Sequence, residues 1–220
     1  MDALLFDMDG TLIDSEHLWL EAEIATMASL GSAWTDEDQA YSLGGPMERV
    51  IAYMVEKAGG GHDHGEVTAT LLGHMERLLR SEHIPWRPGA RELLQEAIDA
   101  DLPRALVSAS WRTLVDAMHE EVLHEVGRNA FPVTVAGDEV KVGKPDPAPY
   151  LLAARRLGVD PRRCVVLEDS PTGVTAGRAS GALVVAVPHM VPIEPGERCV
   201  VVPTLEGVTL ADLERWLAEA

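Results

Sequence analysis

Short apolar runs alternate with helix-like segments over residues 85–220, and this alternation restricts the possible folds more than any other feature of the sequence. The runs lie at residues 104–108, 132–137, 163–169, 182–187 and 199–203. Runs that are apolar throughout, and not only at every second residue, are typical of strands buried on both faces. The pattern therefore predicts an α/β fold, in which helices cover both faces of a doubly wound parallel sheet.

One further apolar run opens the chain at residues 3–7 (ALLFD) and ends at an acidic turn. From residue 15 to residue 84 the pattern is helical instead, with apolar residues three and four positions apart. We therefore expect a Rossmann-like core of residues 1–14 and 85–220, interrupted after its first strand by a small all-α cap domain of residues 15–84. Within that cap, Gly44-Gly45-Pro46 is either a helix connector or a loop that screens substrates.

Composition disfavours several classes of function. With 18 Lys and Arg against 36 Asp and Glu, the formal net charge of −18 argues against nucleic acid and anionic membranes as partners. The sequence has no apolar stretch of membrane-spanning length and no secretion signal at its start, so we expect a cytoplasmic protein. Cys164 and Cys199 each begin an apolar run and are predicted to be reduced core residues. The sequence is compatible with a monomer.

Polar side chains stand where three of the predicted strands end. Asp7 ends the first run, Ser108 follows the run that begins at residue 104, and Glu168 and Asp169 end the run that begins at residue 163. The carboxyl ends of parallel strands lie at one edge of a sheet, so these residues should meet in one crevice. Asp9, two residues after Asp7, should face the same way. Carboxylates without a His or Cys partner suit magnesium, Mg²⁺, better than zinc.

Lys144 lies in the segment GKPDPAP, where Pro145 and Pro147 restrict the backbone. A fixed cation beside a carboxylate cluster is suited to balancing the charge of a phosphate group. Together with the Ser108 hydroxyl, these residues supply a nucleophile, a metal site, a cation and a neutral donor, as phosphoryl transfer requires. The expected ligand is a small phosphorylated metabolite.

The segment DMDGTLIDSE at residues 7–16, Ser108, Lys144 in GKPDP and VVLEDS at residues 165–170 resemble the four ordered motifs of the haloacid dehalogenase (HAD) superfamily. The resemblance covers nearly the whole chain and is strongest to the β-phosphoglucomutase-like branch. Members of that branch carry a helical cap between the first and second motifs and act on sugar phosphates and related metabolites. The resemblance implies a Mg²⁺-dependent phosphatase, with a sugar phosphate as the expected substrate.

The resemblance also implies a role for each motif residue in the chemistry. Asp7 would attack phosphorus and form an aspartyl-phosphate. Asp9 would be the general acid and base, protonating the leaving oxygen and then activating water. Ser108 and Lys144 would hold the oxygens of the transferring phosphoryl group.

For the metal, the resemblance implies four contributors. Asp7 would coordinate Mg²⁺ through its carboxylate, and Asp9 through its backbone carbonyl. Asp169 matches a further ligand, and Glu168 would contribute beside it, either directly or through water.

Three alternatives are weighed against hydrolysis of a phosphomonoester. Sugar-phosphate mutases of this branch carry a His in the first cap helix, where this sequence has Trp19 with His17 two residues earlier, so plain hydrolysis is favoured. Phosphonate hydrolases use a cap lysine, but Lys57 is interpreted as a solvated residue at a helix end. A non-catalytic phosphometabolite-binding module is disfavoured by the intact motif residues.

Overall fold

The computed structural model describes residues 1–42, 47–127 and 130–220. It divides into two compact units, one of residues 1–14 and 84–220 and the other of residues 15–83. The Gly44-Gly45-Pro46 segment lies outside the described residues. That the second unit serves as a cap remains a prediction from the sequence.

The first unit is built on one sheet of six parallel strands in the order β3-β2-β1-β4-β5-β6. The strands are β1 (Ala3–Phe6), β2 (Arg104–Val107), β3 (Val133–Val135), β4 (Cys164–Glu168), β5 (Leu183–Ala186) and β6 (Cys199–Val201). Each lies within one of the predicted apolar runs. Every residue of β1, β2, β4 and β5 is buried, because helices cover both faces. The predicted doubly wound α/β fold is therefore confirmed.

The second unit is helical in the described residues. Its helices are α1 (Glu16–Ser29), α2 (Asp36–Ser42), α3 (Met47–Lys57) and α4 (His64–Ser81). Apolar side chains spaced three and four residues apart, such as Val67, Leu71 and Met75 of α4, form its buried core. Asp63 begins α4 by accepting a hydrogen bond from the Glu66 backbone amide at 3.0 Å, which satisfies a free amide of the first turn.

Lys57 is not the solvated side chain that the sequence suggested. Its Nζ atom lies 2.6 Å from a carboxylate oxygen of Asp38, whose side chain is 3% exposed. Asp38 also accepts hydrogen bonds from Tyr53 Oη and from Thr35. The hydrogen bond from Lys57 is the main reason that the pKa of Asp38 lies well below its usual range. Lys57 is therefore the counter-ion of a buried carboxylate, because such a charge is stable only when it is paired.

The remaining helices belong to the first unit. They are α5 (Ala90–Asp99), α6 (Arg112–Val126), α7 (Ala148–Leu157), α8 (Pro171–Ala179) and α9 (Leu210–Glu219). Helix α8 begins directly after β4: Ser170 accepts the Gly173 amide at 3.1 Å, and Pro171 occupies the first helical turn. Both cysteines are buried and unpaired, as predicted for core residues. Among the described residues, no helix has the length and apolar character needed to cross a bilayer.

Candidate active site

Three buried charges meet at the carboxyl ends of β1 and β4. Lys144 Nζ donates to Asp7 Oδ1 at 2.5 Å and to Glu168 Oε1 at 2.6 Å. It also donates to the Val107 carbonyl at the end of β2, at 3.1 Å. The exposed fractions of the Lys144, Asp7 and Glu168 side chains are 5%, 8% and 0%. Segments far apart in sequence thus contribute to one cluster, because the parallel sheet brings its strand ends to one edge.

Glu168 uses both carboxylate oxygens for hydrogen bonds within the protein. Oε1 accepts from Lys144 and from Tyr150 Oη, each at 2.6 Å. Oε2 accepts from Ser170 Oγ at 3.0 Å and from the Asp169 backbone amide at 3.2 Å. Full hydrogen bonding is what allows an acidic side chain to be completely buried. The carboxylate therefore fixes Lys144 in position.

Two glycines allow backbone to approach these acids closely. A Cβ atom on Gly173 would lie 1.8 Å from Glu168 Oε1, so the first turn of α8 has room for the carboxylate only without a side chain there. Gly10 has φ +80°, and a Cβ atom on it would lie 2.3 Å from Asp169 Oδ2. Glycine suits position 10 for two reasons: the backbone there is left-handed, and a side chain would overlap the Asp169 carboxylate.

Asp7, Glu168 and Asp169 form an acidic cluster in which one oxygen from each residue lies within 4.8 Å of the others. Burial, reinforced by the charge of Glu168, raises the pKa of Asp7 to about 7. Burial and the charge of Asp7 raise the pKa of Asp169 to about 9. These shifts mean that full ionisation of the cluster is unfavourable unless it gains positive charge beyond that of Lys144. An all-oxygen donor set of this kind fits a hard divalent cation such as Mg²⁺.

Lys144 and Tyr150, which both contact Glu168 of the acidic cluster, keep their protons. Burial acts to lower the pKa of Lys144, but the charges of Asp7 and Glu168 outweigh it and raise that pKa above its usual value. Burial and the charge of Glu168 raise the pKa of Tyr150 well above its usual value. Lys144 is therefore an ammonium, and Tyr150 a neutral phenol donor, throughout the physiological range.

Asp9 lies with two serines at the end of β2, and its carboxylate is not part of the acidic cluster. Ser110 Oγ donates to Asp9 Oδ2 at 2.8 Å, and Ser108 Oγ lies 3.4 Å from the same oxygen. The Ser110 backbone amide donates to Ser108 Oγ at 2.9 Å. The structure thus brings all six predicted site residues to one edge of the sheet, in two adjoining groups.

Two residues of this site, Tyr150 and Ser110, are not among the residues predicted from the sequence. Tyr150 is a completely buried residue of α7, and a buried phenol needs a hydrogen-bond partner. Ser110 stands two residues after Ser108 at the same strand end, and this spacing was an available signal. Thr11, which follows Gly10 in the first motif, donates from Oγ1 to Asp169 Oδ1 at 3.3 Å.

Comparisons with known proteins find similar sequences and a similar fold. A profile of the haloacid dehalogenase-like hydrolase family matches residues 1–181. The chain is 34% identical to hexitol phosphatase A of Escherichia coli (strain K12) over 193 residues, which are 83% of this chain and 81% of that protein. It is also 34% identical to the phosphorylated carbohydrates phosphatase of Thermotoga maritima over 188 residues, 82% of each chain. The crystal structure of CbbY from Rhodobacter sphaeroides in complex with phosphate superposes with a TM-score of 0.85 at 30% identity, covering 97% of this chain and 99% of that one.

Proposed function

This chain belongs to the haloacid dehalogenase-like hydrolases and is a phosphatase, and from that premise we propose that it hydrolyses a small phosphorylated sugar through a covalent intermediate on Asp7. The observation that carries the proposal is the buried contact of 2.5 Å between Asp7 and Lys144 beside two further carboxylates. The names of two relatives, a hexitol phosphatase and a phosphorylated carbohydrates phosphatase, support the choice of a sugar phosphate.

In the first step, a carboxylate oxygen of Asp7 attacks phosphorus while the bond from phosphorus to the sugar oxygen breaks. Asp9 gives its proton to the departing oxygen, which leaves as an alcohol. Lys144 and the Ser108 hydroxyl hold the phosphoryl oxygens as negative charge accumulates on them. The raised pKa of Lys144 supports this role, because the ammonium stays charged.

In the second step, Asp9 takes a proton from a water molecule, which attacks the phosphorus of the aspartyl-phosphate. The bond between phosphorus and Asp7 then breaks, inorganic phosphate forms, and Asp7 is again a free carboxylate. Asp9 has regained the proton that it gave away, so the residues return to their starting state.

For the metal, we propose that the Asp7 and Asp169 carboxylates and the Asp9 backbone carbonyl hold Mg²⁺. Glu168 would contribute through water, since each of its oxygens already accepts at least two hydrogen bonds from the protein. When bound, Mg²⁺ supplies positive charge that neutralises the phosphoryl group and the attacking carboxylate. The acidic cluster and its raised pKa values support this assignment.

The test compares the wild type with Asp7→Asn, and with Asp160→Asn as a control at an exposed acid that pairs with Arg162. Phosphate release from a panel of sugar phosphates in the presence of Mg²⁺ should disappear in Asp7→Asn and persist in the control. Borohydride, which reduces an acyl phosphate to an alcohol, should convert Asp7 of the working wild type to homoserine, detectable by mass spectrometry. Activity in Asp7→Asn, or labelling at another residue, would refute the mechanism.

A sugar-phosphate mutase would behave differently in the same assay. It would form an isomeric product without free phosphate and would depend on a bisphosphate activator. Stoichiometric release of phosphate without such an activator is the expected result.

A further inference from the structure

Of the two hydroxyl groups at the end of β2, the one on Ser110 lies closer to the Asp9 carboxylate. The distance to Asp9 Oδ2 is 2.8 Å from Ser110 Oγ and 3.4 Å from Ser108 Oγ. A distance of 2.8 Å is typical of a hydroxyl-to-oxygen hydrogen bond, whereas 3.4 Å is long for one. Ser108, the residue with a proposed role, is therefore not the main serine partner of Asp9.

Backbone contacts hold Ser110 firmly in place. The Ser108 amide donates to the Val135 carbonyl at 3.0 Å, and the Gly137 amide donates to the Ser110 carbonyl at 2.8 Å. A Cβ atom on Gly137 would lie 2.1 Å from the Ala109 carbonyl oxygen, so the two segments touch directly. Ser110 itself is only 6% exposed. The ends of β2 and β3 thus determine where this hydroxyl lies.

We propose that Ser110 is a positioning residue that orients the Asp9 carboxylate toward the leaving oxygen, an inference that rests on the proposed function. A serine hydroxyl can both donate and accept a hydrogen bond. That of Ser110 lies within hydrogen-bond distance of Asp9 Oδ2 and can serve that oxygen as a donor or as an acceptor, whereas an ammonium or a backbone amide can only donate. The two serines then have separate tasks: Ser108 contacts the phosphoryl group, and Ser110 acts only through Asp9.

The experiment compares Ser110→Ala and Ser110→Thr with the control Ser180→Ala. Ser180 is similarly buried, at 7% exposed, and its hydroxyl donates to the Gly177 carbonyl at 2.6 Å, away from the strand ends that form the site. The probes are phenyl phosphate and 4-nitrophenyl phosphate, two aryl esters with similar rings. Nitrophenolate departs readily without a proton, whereas phenol needs one. The ratio kcat/KM reports only the steps up to departure of the alcohol.

We expect Ser110→Ala to lower kcat/KM roughly 10- to 100-fold for phenyl phosphate and less than about 3-fold for 4-nitrophenyl phosphate. The loss with phenyl phosphate should be only part of what removing a general acid costs, because Asp9 itself remains. The loss should lie in kcat, with KM nearly unchanged. Ser110→Thr keeps the hydroxyl and should recover most of the rate. Ser180→Ala should match the wild type with both esters.

Asp9→Asn, measured in parallel, separates the inference from the proposed function. It should show a larger loss with the same dependence on the leaving group, and adding Ser110→Ala to it should cause no further loss. If Asp9→Asn lowers kcat/KM equally for both esters, the acid role of Asp9 fails, and the Ser110 inference fails with it. If Asp9→Asn behaves as expected, three results with Ser110→Ala would overturn the Ser110 inference alone. They are an equal decrease in kcat/KM for both esters, a change in KM only, and no effect.

A folding defect does not remove the test. If the thermal midpoint of Ser110→Ala falls far below that of Ser180→Ala, Ser110→Cys replaces it, because cysteine keeps the shape of the side chain and is only a weak donor. Ser110→Thr should then be faster than Ser110→Cys with phenyl phosphate. Equal rates for these two variants would overturn the proposal.

Discussion

Replacing Tyr150 with phenylalanine would remove one buried hydroxyl and leave the aromatic ring in place. Tyr150 is completely buried, and its Oη atom donates to Glu168 Oε1 at 2.6 Å. The Lys144 Nζ atom lies 5.0 Å from the centre of the ring, a contact that phenylalanine would preserve. The substitution therefore isolates the hydrogen bond between a phenol and a buried carboxylate.

The expected loss of stability follows from the kind of hydrogen bond that is removed. A hydrogen bond to a charged group contributes about 1.5 to 3 kcal/mol, so the free energy of unfolding should fall by that amount. For a chain of this size, each kcal/mol corresponds to about 2 to 4 °C, which gives a decrease of about 3 to 12 °C in the thermal midpoint. Because Glu168 also holds Lys144, kcat should fall as well, with KM less affected.

The assay combines urea unfolding, a thermal melt and steady-state kinetics with a phosphate ester, all at pH 7. Tyr53→Phe is the matched control, since it also removes a hydroxyl that donates to a buried carboxylate, that of Asp38, in the helical unit. Tyr53→Phe should lower stability while leaving the contacts of Lys144 and Glu168 unchanged. A Tyr150→Phe variant as stable as the wild type would refute the reasoning.

Three further predictions concern other parts of the molecule. Gly173→Ala should nearly abolish activity, measured as phosphate release, because the new methyl group would overlap the Glu168 carboxylate. Mg²⁺ should raise the thermal midpoint of the wild type but not that of Asp169→Asn, as scanning calorimetry would show. Burial, only partly offset by a hydrogen bond from Trp34, raises the pKa of Glu23 from 4.5 to about 7. The folded state then binds the extra proton, so stability should fall by at most about 3 kcal/mol as the pH rises from about 4.5 to 7. Glu23→Gln should flatten this dependence in urea titrations at several pH values, and an unchanged slope would contradict the assignment.

Local patterns in the chain are enough to predict the strands and the residues that end them. Apolar runs such as residues 163–169 can be read locally, because a strand buried on both faces needs apolar side chains at nearly every position. The rule that parallel strands end at one edge then predicts that Asp7 and Glu168 are neighbours, although 161 positions separate them. The place of Lys144 in the site is predicted from its proline-flanked segment together with the resemblance of its motif, since a lysine by itself is more often a surface residue.

Which atoms of these residues meet depends on how distant segments pack together. That Lys144 bridges Asp7 and Glu168, and that Ser110 rather than Ser108 holds Asp9, depends on distances of a few tenths of an ångström between segments far apart in sequence. Such distances arise from packing, which sums contacts over the whole unit and leaves no periodic trace in the chain.

The same reason explains why the prediction of a solvated Lys57 is wrong and why the sequence does not reveal the contact of Tyr150 with Glu168. Lys57 is polar and lies at a helix end, as solvated lysines do, but in the folded unit Asp38 of α2 is buried beside Lys57 and Tyr53 of α3. Tyr150 has the spacing of a core residue and is one, and its second role exists because β4 brings Glu168 within 2.6 Å of its hydroxyl. Sequence patterns determine which face of an element is buried, and the fold determines what each buried polar atom contacts.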